Sequence, residues 1–241
     1  MDLQYTAVIV EPRKHKALQF VLQNALTTLP NNWSIICFHG LTNKEYCEHV
    51  RTQCSDPSRI QLIELPVINF TLKTYSELFA TRSLIYNYIQ TEWFLVFQTD
   101  SLMFPQYLQT FLNLLDKRYD YIGAPWLKCN YPPTRIRDFV GNGGFSLRNT
   151  AKMLEIIDKH DWHSVKHTEV EWLEDLYFTN PYDDVTMNKA PYDEAKTFSV
   201  DEIFYPQPFA CHKPWATSHY SEFVKLFPEL AILQSLQGVE S

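Results

Sequence analysis

Five consecutive apolar residues, Trp93-Phe94-Leu95-Val96-Phe97, stop abruptly at Gln98-Thr99-Asp100-Ser101. Successive side chains of a strand point to opposite faces of its sheet, so an apolar run without alternation requires both faces to be covered. The run is too short to cross a bilayer and too rich in β-branched and aromatic residues for a surface helix, which makes it a central strand. Open α/β sheets bind ligands at the carboxyl ends of their strands, and there Asp100 offers an anionic oxygen to a metal or a nucleotide. Asp100 can equally cap a helix over Tyr107 to Leu115, and the junction alone supports both readings.

The segments before this strand alternate. Tyr5 to Val10 is a β-rich run that ends at Glu11-Pro12-Arg13. A helical period follows through Ala17, Leu18, Phe20, Val21, Leu22, Ala25 and Leu26, and Pro30-Asn31-Asn32 breaks it before a strand from Trp33 to Phe38. A third strand is expected over Ile60 to Leu65 and a helix over Ser76 to Tyr88. This repetition predicts an α/β fold with a mostly parallel central sheet flanked by helices. After residue 116 the strands shorten and turn residues multiply. Tyr121-Ile122-Gly123-Ala124-Pro125-Trp126 begins as a strand and leads into a long loop, Lys128 to Asp138, carrying Tyr131, Arg135 and Arg137. Thr168 and Glu171 have capping-box spacing and open a helix running to Thr179, and residues 182–196 read as a mobile surface loop.

No Gly-, Ser- or Pro-rich stretch divides the 241 residues, so one domain spanning 1–241 is expected. Hydrophobic residues at 45% and aromatics at 15% fit a well-filled core, and a net charge of -7 argues against a nucleic-acid surface. The amino terminus has no basic segment followed by a long apolar one, and no run approaches the roughly 20 apolar residues that span a bilayer. The five cysteines show no paired close spacing. They read as reduced thiols, and the expected compartment is the cytoplasm.

Three further elements carry chemistry. Only six glycines occur in the chain, yet three fall in Gly141-Asn142-Gly143-Gly144. A bulge or tight turn accounts for such a cluster, and so does close approach of the backbone to a ligand. The cluster leads into a strand instead of opening a helix, so it is not a dinucleotide fingerprint. Glu174-Asp175 lies beside an apolar helical stripe, where desolvation raises a carboxylate pKa toward the range of a general base, although a solvated acidic face is the default. Phe209-Ala210-Cys211-His212-Lys213-Pro214-Trp215 sets an imidazole and an ammonium among aromatics, suited to a divalent metal and a phosphate, or to a satisfied core histidine.

In their order these elements resemble the layout of GT-A glycosyltransferases. Phe97-Gln98-Thr99-Asp100-Ser101, Tyr121-Ile122-Gly123-Ala124-Pro125-Trp126 and Gly141-Asn142-Gly143-Gly144-Phe145-Ser146-Leu147-Arg148 are similar to motifs of an uncharacterised GT-A-like family of microbial, eukaryotic and large-virus proteins. Val10-Glu11-Pro12-Arg13 and Phe38-His39-Gly40 fit it too, so the resemblance covers most of the chain. It implies a Rossmann-like GT-A domain with a nucleotide-binding half (1–116) and an acceptor-binding half (117–241). The implied activity is transfer of a sugar from a nucleotide-diphosphate donor, a UDP-sugar first, to a hydroxyl of a glycan or glycoside. Asp100 and His212 would bind Mn²⁺ or Mg²⁺. Val10, Glu11, Pro12, Arg13, His39, Gly40, Gln98, Thr99, Asp100 and Lys213 would hold the donor. Gly143, Gly144, Trp126 and Trp215 would border the substrates, and Asp175 with Glu174 would supply the base of an inverting reaction.

One departure stands out. Many GT-A members carry two aspartates where this chain has Gln98 and Asp100. His212-Lys213-Pro214-Trp215 is also similar to the carboxyl-terminal segment of some retaining transferases, so a retaining reaction is an alternative. A nucleotide-sugar pyrophosphorylase would show a glycine-rich basic loop after the first strand, where this chain has Glu11-Pro12-Arg13-Lys14. A metal-dependent phosphoester hydrolase would present more carboxylates than Asp100 at the metal. A non-catalytic carbohydrate-binding protein would bind glycan through its aromatic loops without a nucleotide.

Overall fold

A computed structural model of the chain describes residues 4–126, 140–164 and 173–240. In chain order it contains β1 (Tyr5–Val10), α1 (Leu18–Thr28), β2 (Trp33–His39), α2 (Lys44–Gln53), β3 (Ile60–Glu64), α3 (Leu72–Ala80), β4 (Trp93–Phe97), β5 (Ser101–Met103) and α4 (Leu108–Leu115). There follow β6 (Tyr121–Gly123), β7 (Phe145–Asn149), α5 (Thr150–Lys159), α6 (Glu174–Thr179), α7 (Tyr192–Phe198), β8 (Ser199–Val200), β9 (Ala210–His212), α8 (Tyr220–Leu226) and α9 (Glu229–Ser235).

The main sheet has the strand order β3-β2-β1-β4-β7-β6. Its first four strands are mutually parallel and β7 runs antiparallel to both β4 and β6. The alternation of side chains explains why the strands are apolar throughout. Ala7, Ile9, Ile35, Cys37, Leu95 and Phe97 enter one core with Leu18, Val21, Leu22 and Ala25 of α1. Their neighbours Val8, Ile36, Phe38, Phe94 and Val96 enter a second core with Phe79 of α3, Met153 of α5 and Tyr177 of α6. The result is a single α/β domain whose mostly parallel sheet is covered by helices on both faces.

A second, three-stranded sheet of order β5-β9-β8 stands beyond the carboxyl end of β4. Among the described residues no helix is long and apolar enough to cross a membrane. Cys37, Cys47, Cys54 and Cys211 are buried free thiols, and Cys129 lies outside the described residues.

Three expected elements are redrawn. The helix expected to run to Thr179 is α6, which begins only at Glu174 after an extended Leu173. The helix expected over Ser76 to Tyr88 is α3 followed by a separate 3₁₀ turn, Leu84–Asn87. Thr71 and Thr74 form a reciprocal capping box that starts α3 early, and the extended backbone of Thr81 ends it. Buried Ile85 and Ile89 continue the apolar pattern without continuing the helix. The loop expected over 182–196 instead gives way to α7 after Pro191, with Asp193 and Glu194 in its first turn and Ala195 and Phe198 buried. The loop over 128–138, the capping pair Thr168 and Glu171, and Trp172 lie outside the described residues.

Candidate functional site

The exits of β1, β2 and β4 share the carboxyl edge of the parallel sheet, and the register of the small sheet determines what meets Asp100 there. β5 pairs antiparallel with β9, Ser101 opposite His212, so Asp100 falls beside His212 and Lys213. The Lys213 N–H donates to Asp100 O at 2.9 Å, and His212 Nε2 stands 3.4 Å from Asp100 Oδ1. β8 pairs parallel with β9, Val200 beside Cys211, so the next residue, Asp201, flanks the imidazole from its other side, with Oδ2 3.5 Å from Nδ1. His212 Nε2 also donates to Gln98 Oε1 at 3.2 Å. α4 begins only at Leu108, after β5, so Asp100 does not cap it.

Burial disfavours a charge on His212, but the carboxylates of Asp100 and Asp201 outweigh it and raise its pKa to about 10. Burial alone would raise the Asp100 pKa, yet the charges of His212 and Lys213 hold it below the ordinary carboxylate value. Lys213 has left-handed backbone geometry, φ 46°, an uncommon state for a residue with a side chain. Its side chain is exposed and makes no ion pair among the described residues.

The glycine loop lies between the His212 imidazole and the α6 carboxylates. A Cβ on Gly144 would fall 2.3 Å from His212 Nε2, and one on Gly143 would fall 2.4 Å from Glu174 Oε1 and 2.9 Å from Asp175 Cβ. Close approach is therefore the cause of both glycines. The Gly143 N–H donates to Asp175 Oδ2 at 3.2 Å, and the Leu176 N–H to Asp175 Oδ1 at 2.8 Å. Burial and the adjacent Glu174 charge raise the Asp175 pKa to about 7, against those two N–H groups and Arg148.

Glu174 faces elsewhere. At 6% exposure it accepts from Arg148 Nη2 at 2.8 Å. Arg148, fully buried on β7, also donates to Gly143 O at 3.3 Å and to Ser146 Oγ at 2.9 Å. Its guanidinium is ringed by Phe79, Tyr121 and Phe178, with centroids 5.2 to 5.5 Å away.

At the neighbouring strand exits, Arg13 grips Glu11 through two 2.8 Å hydrogen bonds, and Thr99 Oγ1 donates to Glu11 Oε2 at 3.5 Å. Buried Asn43 ties the two exits together. Its Nδ2 donates to Glu11 O and Arg13 O, both at 2.9 Å, and its Oδ1 accepts from the Gly40 N–H at 2.8 Å. Gly40 has no room for a side chain beneath Val67 O and Pro12. The His39 ring is buried and donates through Nδ1 to Gly40 O at 2.9 Å, so this turn presents backbone. Val10 is partly buried and Pro12 buried. Trp126 is partly exposed beyond β6, and partly buried Trp215 packs against the core shared with α1.

The structure therefore gathers Gln98, Asp100, His212 and Lys213 in one cluster, and Asp175 across the Gly143-Gly144 pair from it. Sequence reasoning missed Asn43, Tyr75, Asn142, Arg148 as an ion-pair partner, and Asp201. Of these, Asn142 lies inside the glycine cluster, and Asp201 had a local signal because it follows the short run Phe198-Ser199-Val200 as Asp100 follows Phe97.

For a divalent cation, the residues fit in one respect. Asp100 Oδ1 is buried and accepts no hydrogen bond, and its 3.4 Å separation from His212 Nε2 is close to the roughly 3 Å between adjacent ligands of an octahedral shell. Among the described residues, no group of three or more His, Cys, Asp or Glu side chains is arranged to hold a metal.

A family model described as "Protein of unknown function (DUF5672)" matches residues 59–212, more than half of the chain. No curated protein matches it. Among solved structures, the galactosyltransferase LgtC in complex with donor and acceptor sugar analogs aligns with a TM-score of 0.60 at 13% identity, covering 98% of each chain. An active-site mutant of LgtC gives 0.58 at 14% identity over the same shares. The apo-form glycosyltransferase GlyE of Streptococcus pneumoniae TIGR4 gives 0.53 at 14% identity, covering 98% of this chain and 65% of that one. At such identity the likeness establishes the fold, which is that of the GT-A glycosyltransferases.

Proposed function

The chain belongs to the DUF5672 family, and we propose that it is a glycosyltransferase moving a sugar from a nucleotide-diphosphate donor, a UDP-sugar first, to a hydroxyl of a glycan or glycoside. One observation carries the reading. Asp100 and His212 on one side, and Asp175 on the other, flank the Gly143-Gly144 backbone at the carboxyl edge of a GT-A sheet. That edge is where such sheets bind ligands.

The Val10 to Arg13 edge and the backbone of the His39-Gly40 turn hold the base and ribose, with Glu11 and Arg13 locked together by their own ion pair. Asp100 and His212 would hold Mn²⁺ or Mg²⁺, which would supply neutralisation of the charge that develops on the departing phosphate. Lys213 adds a point charge toward the diphosphate. The acceptor oxygen attacks the anomeric carbon as the carbon–phosphate-oxygen bond breaks. Asp175 takes the acceptor proton, the nucleoside diphosphate leaves with the bonding pair, and the configuration inverts. Glu174 belongs to the support of this base, because its carboxylate is committed to Arg148. Trp126 and Trp215 border the acceptor.

Release of the nucleotide, UDP or GDP from nucleotide-diphosphate sugars and CMP from CMP-sugars, measured with mono- and oligosaccharide acceptors, tests the reading. Wild type is expected to turn over one donor class, and Asp175→Asn to lose at least about 100-fold in kcat while keeping its fold. Transfer by Asp175→Asn at the wild-type rate would remove Asp175 as the base.

A further inference from the structure

We propose that Gln98 is itself a metal ligand, its amide oxygen completing with Asp100 Oδ1 and His212 Nε2 one face of a Mn²⁺ or Mg²⁺ site. The inference rests on the metal-assisted reading above and deepens it. Where the family resemblance leads one to expect a second carboxylate, this chain supplies a neutral oxygen.

Three observations carry it. Gln98 Oε1 lies 3.2 Å and Asp100 Oδ1 3.4 Å from His212 Nε2, both near the spacing of adjacent ligands on one cation. The amide is also held in place. Gln98 Nε2 donates to Tyr75 OH at 2.9 Å, which turns Oε1 toward the imidazole, and the Gln98 N–H donates to Ser101 Oγ at 3.1 Å. Ser101 Oγ in turn donates to Gly144 O at 3.2 Å, so Gln98 is fastened to the glycine loop as well as to α3. Finally, a carboxylate faces the other imidazole nitrogen. Asp201 Oδ2 lies 3.5 Å from Nδ1 and accepts from Asn142 Nδ2 at 2.6 Å, so the imidazole is oriented with Nε2 toward Gln98 and Asp100. Glutamine carbonyls are hard oxygen donors suited to Mn²⁺ and Mg²⁺.

The substitution of an amide for a carboxylate has a consequence. With Asp100 as the single anionic ligand, the bound cation keeps a net positive charge. Metal alone then binds weakly, and metal and diphosphate strengthen each other's binding by the same factor.

The test titrates Mn²⁺ into the full chain, with and without UDP, and follows free Mn²⁺ by electron paramagnetic resonance. Gln98→Glu keeps the shape of the side chain and adds a charge. It is expected to tighten Mn²⁺ by roughly tenfold or more, a gain that misfolding cannot mimic, and to reduce the further tightening by UDP. Gln98→Met is expected to weaken Mn²⁺ roughly tenfold, and Tyr75→Phe to weaken it by a smaller factor through loss of amide orientation. If wild type binds Mn²⁺, Asp100→Asn loses it, and both Gln98 variants match wild type, Gln98 is only a hydrogen-bond acceptor and the inference fails alone. If wild type takes up no Mn²⁺ even with UDP, the metal reading falls and the inference with it.

Discussion

Asp175 shows how position sets the chemistry of one residue. Beside Glu174, with part of its surface buried, it has a pKa near 7, where a carboxylate can both accept a proton and be ionised in cells. The proposed reaction needs the ionised form, so kcat is expected to rise with unit slope as pH approaches 7 and to level off above it. An acid limb centred near pH 4 would contradict this assignment. The same shift acts on stability in the opposite sense. A pKa raised above the unfolded value of about 3.9 means that the fold favours protonated Asp175. That contribution is fully present below about pH 4 and is lost as pH rises through 7. Asp175→Asn is therefore expected to melt above wild type at pH 8 and level with it at pH 4, and equal melting temperatures at both would refute the strain. His212 illustrates a different balance, in which two flanking carboxylates keep an imidazole charged despite burial. Gly143 and Gly144 are small because His212 and the α6 carboxylates occupy the space a Cβ would need.

Between elements, the tie that matters most to the site is β7 to α6. Arg148 links them through Glu174, and through Gly143 O it fixes the loop whose N–H meets Asp175. Removing one partner of a buried ion pair costs about 3–5 kcal/mol because the other charge is left unpaired. Arg148→Met is expected to lose that much in denaturant unfolding, and Arg148→Met with Glu174→Gln to recover a substantial part. A double variant no more stable than the single one would show that packing, not charge pairing, holds the two elements together. Element by element, the sequence reads well where period and punctuation are local. β1 lies where its β-rich run and Pro12 place it, and β2 extends one residue past the expected end. The break between α3 and the turn at Leu84 is hidden because Ile85 and Ile89 keep an apolar spacing after the helix has ended. α7 is hidden because its polar composition resembles a loop and only Pro191 and the two acids after it announce a helix. Arg148 and Tyr75 were illegible as site residues for a further reason. Their partners Glu174 and Gln98 are distant in sequence, and no spacing rule connects them.

Across the whole molecule, the site edge is closed by segments from both ends of the chain. Gln237 Nε2 donates to Thr99 O at 2.9 Å, the Lys16 N–H to Gly238 O at 3.0 Å and the Glu240 N–H to Lys14 O at 2.8 Å. The segment after α9 thus braces the exits of β1 and β4, and the proposed nucleotide and acceptor halves meet at one seam between Asp100 and His212. The central claim is that this seam binds a nucleotide with a divalent cation. Thermal melting of wild type and Asp100→Asn, each with UDP, GDP, CMP and their sugars in the presence and absence of Mn²⁺, tests it directly. At a ligand concentration of about 100 Kd the native state gains about 2.7 kcal/mol, which for a domain of this size is a rise of about 5–10 °C. Such a rise is expected for one nucleotide family, enhanced by Mn²⁺ in wild type and lost in Asp100→Asn. No rise with any nucleotide, alongside a rise with free oligosaccharides, would contradict it and leave a carbohydrate-binding protein on a glycosyltransferase fold.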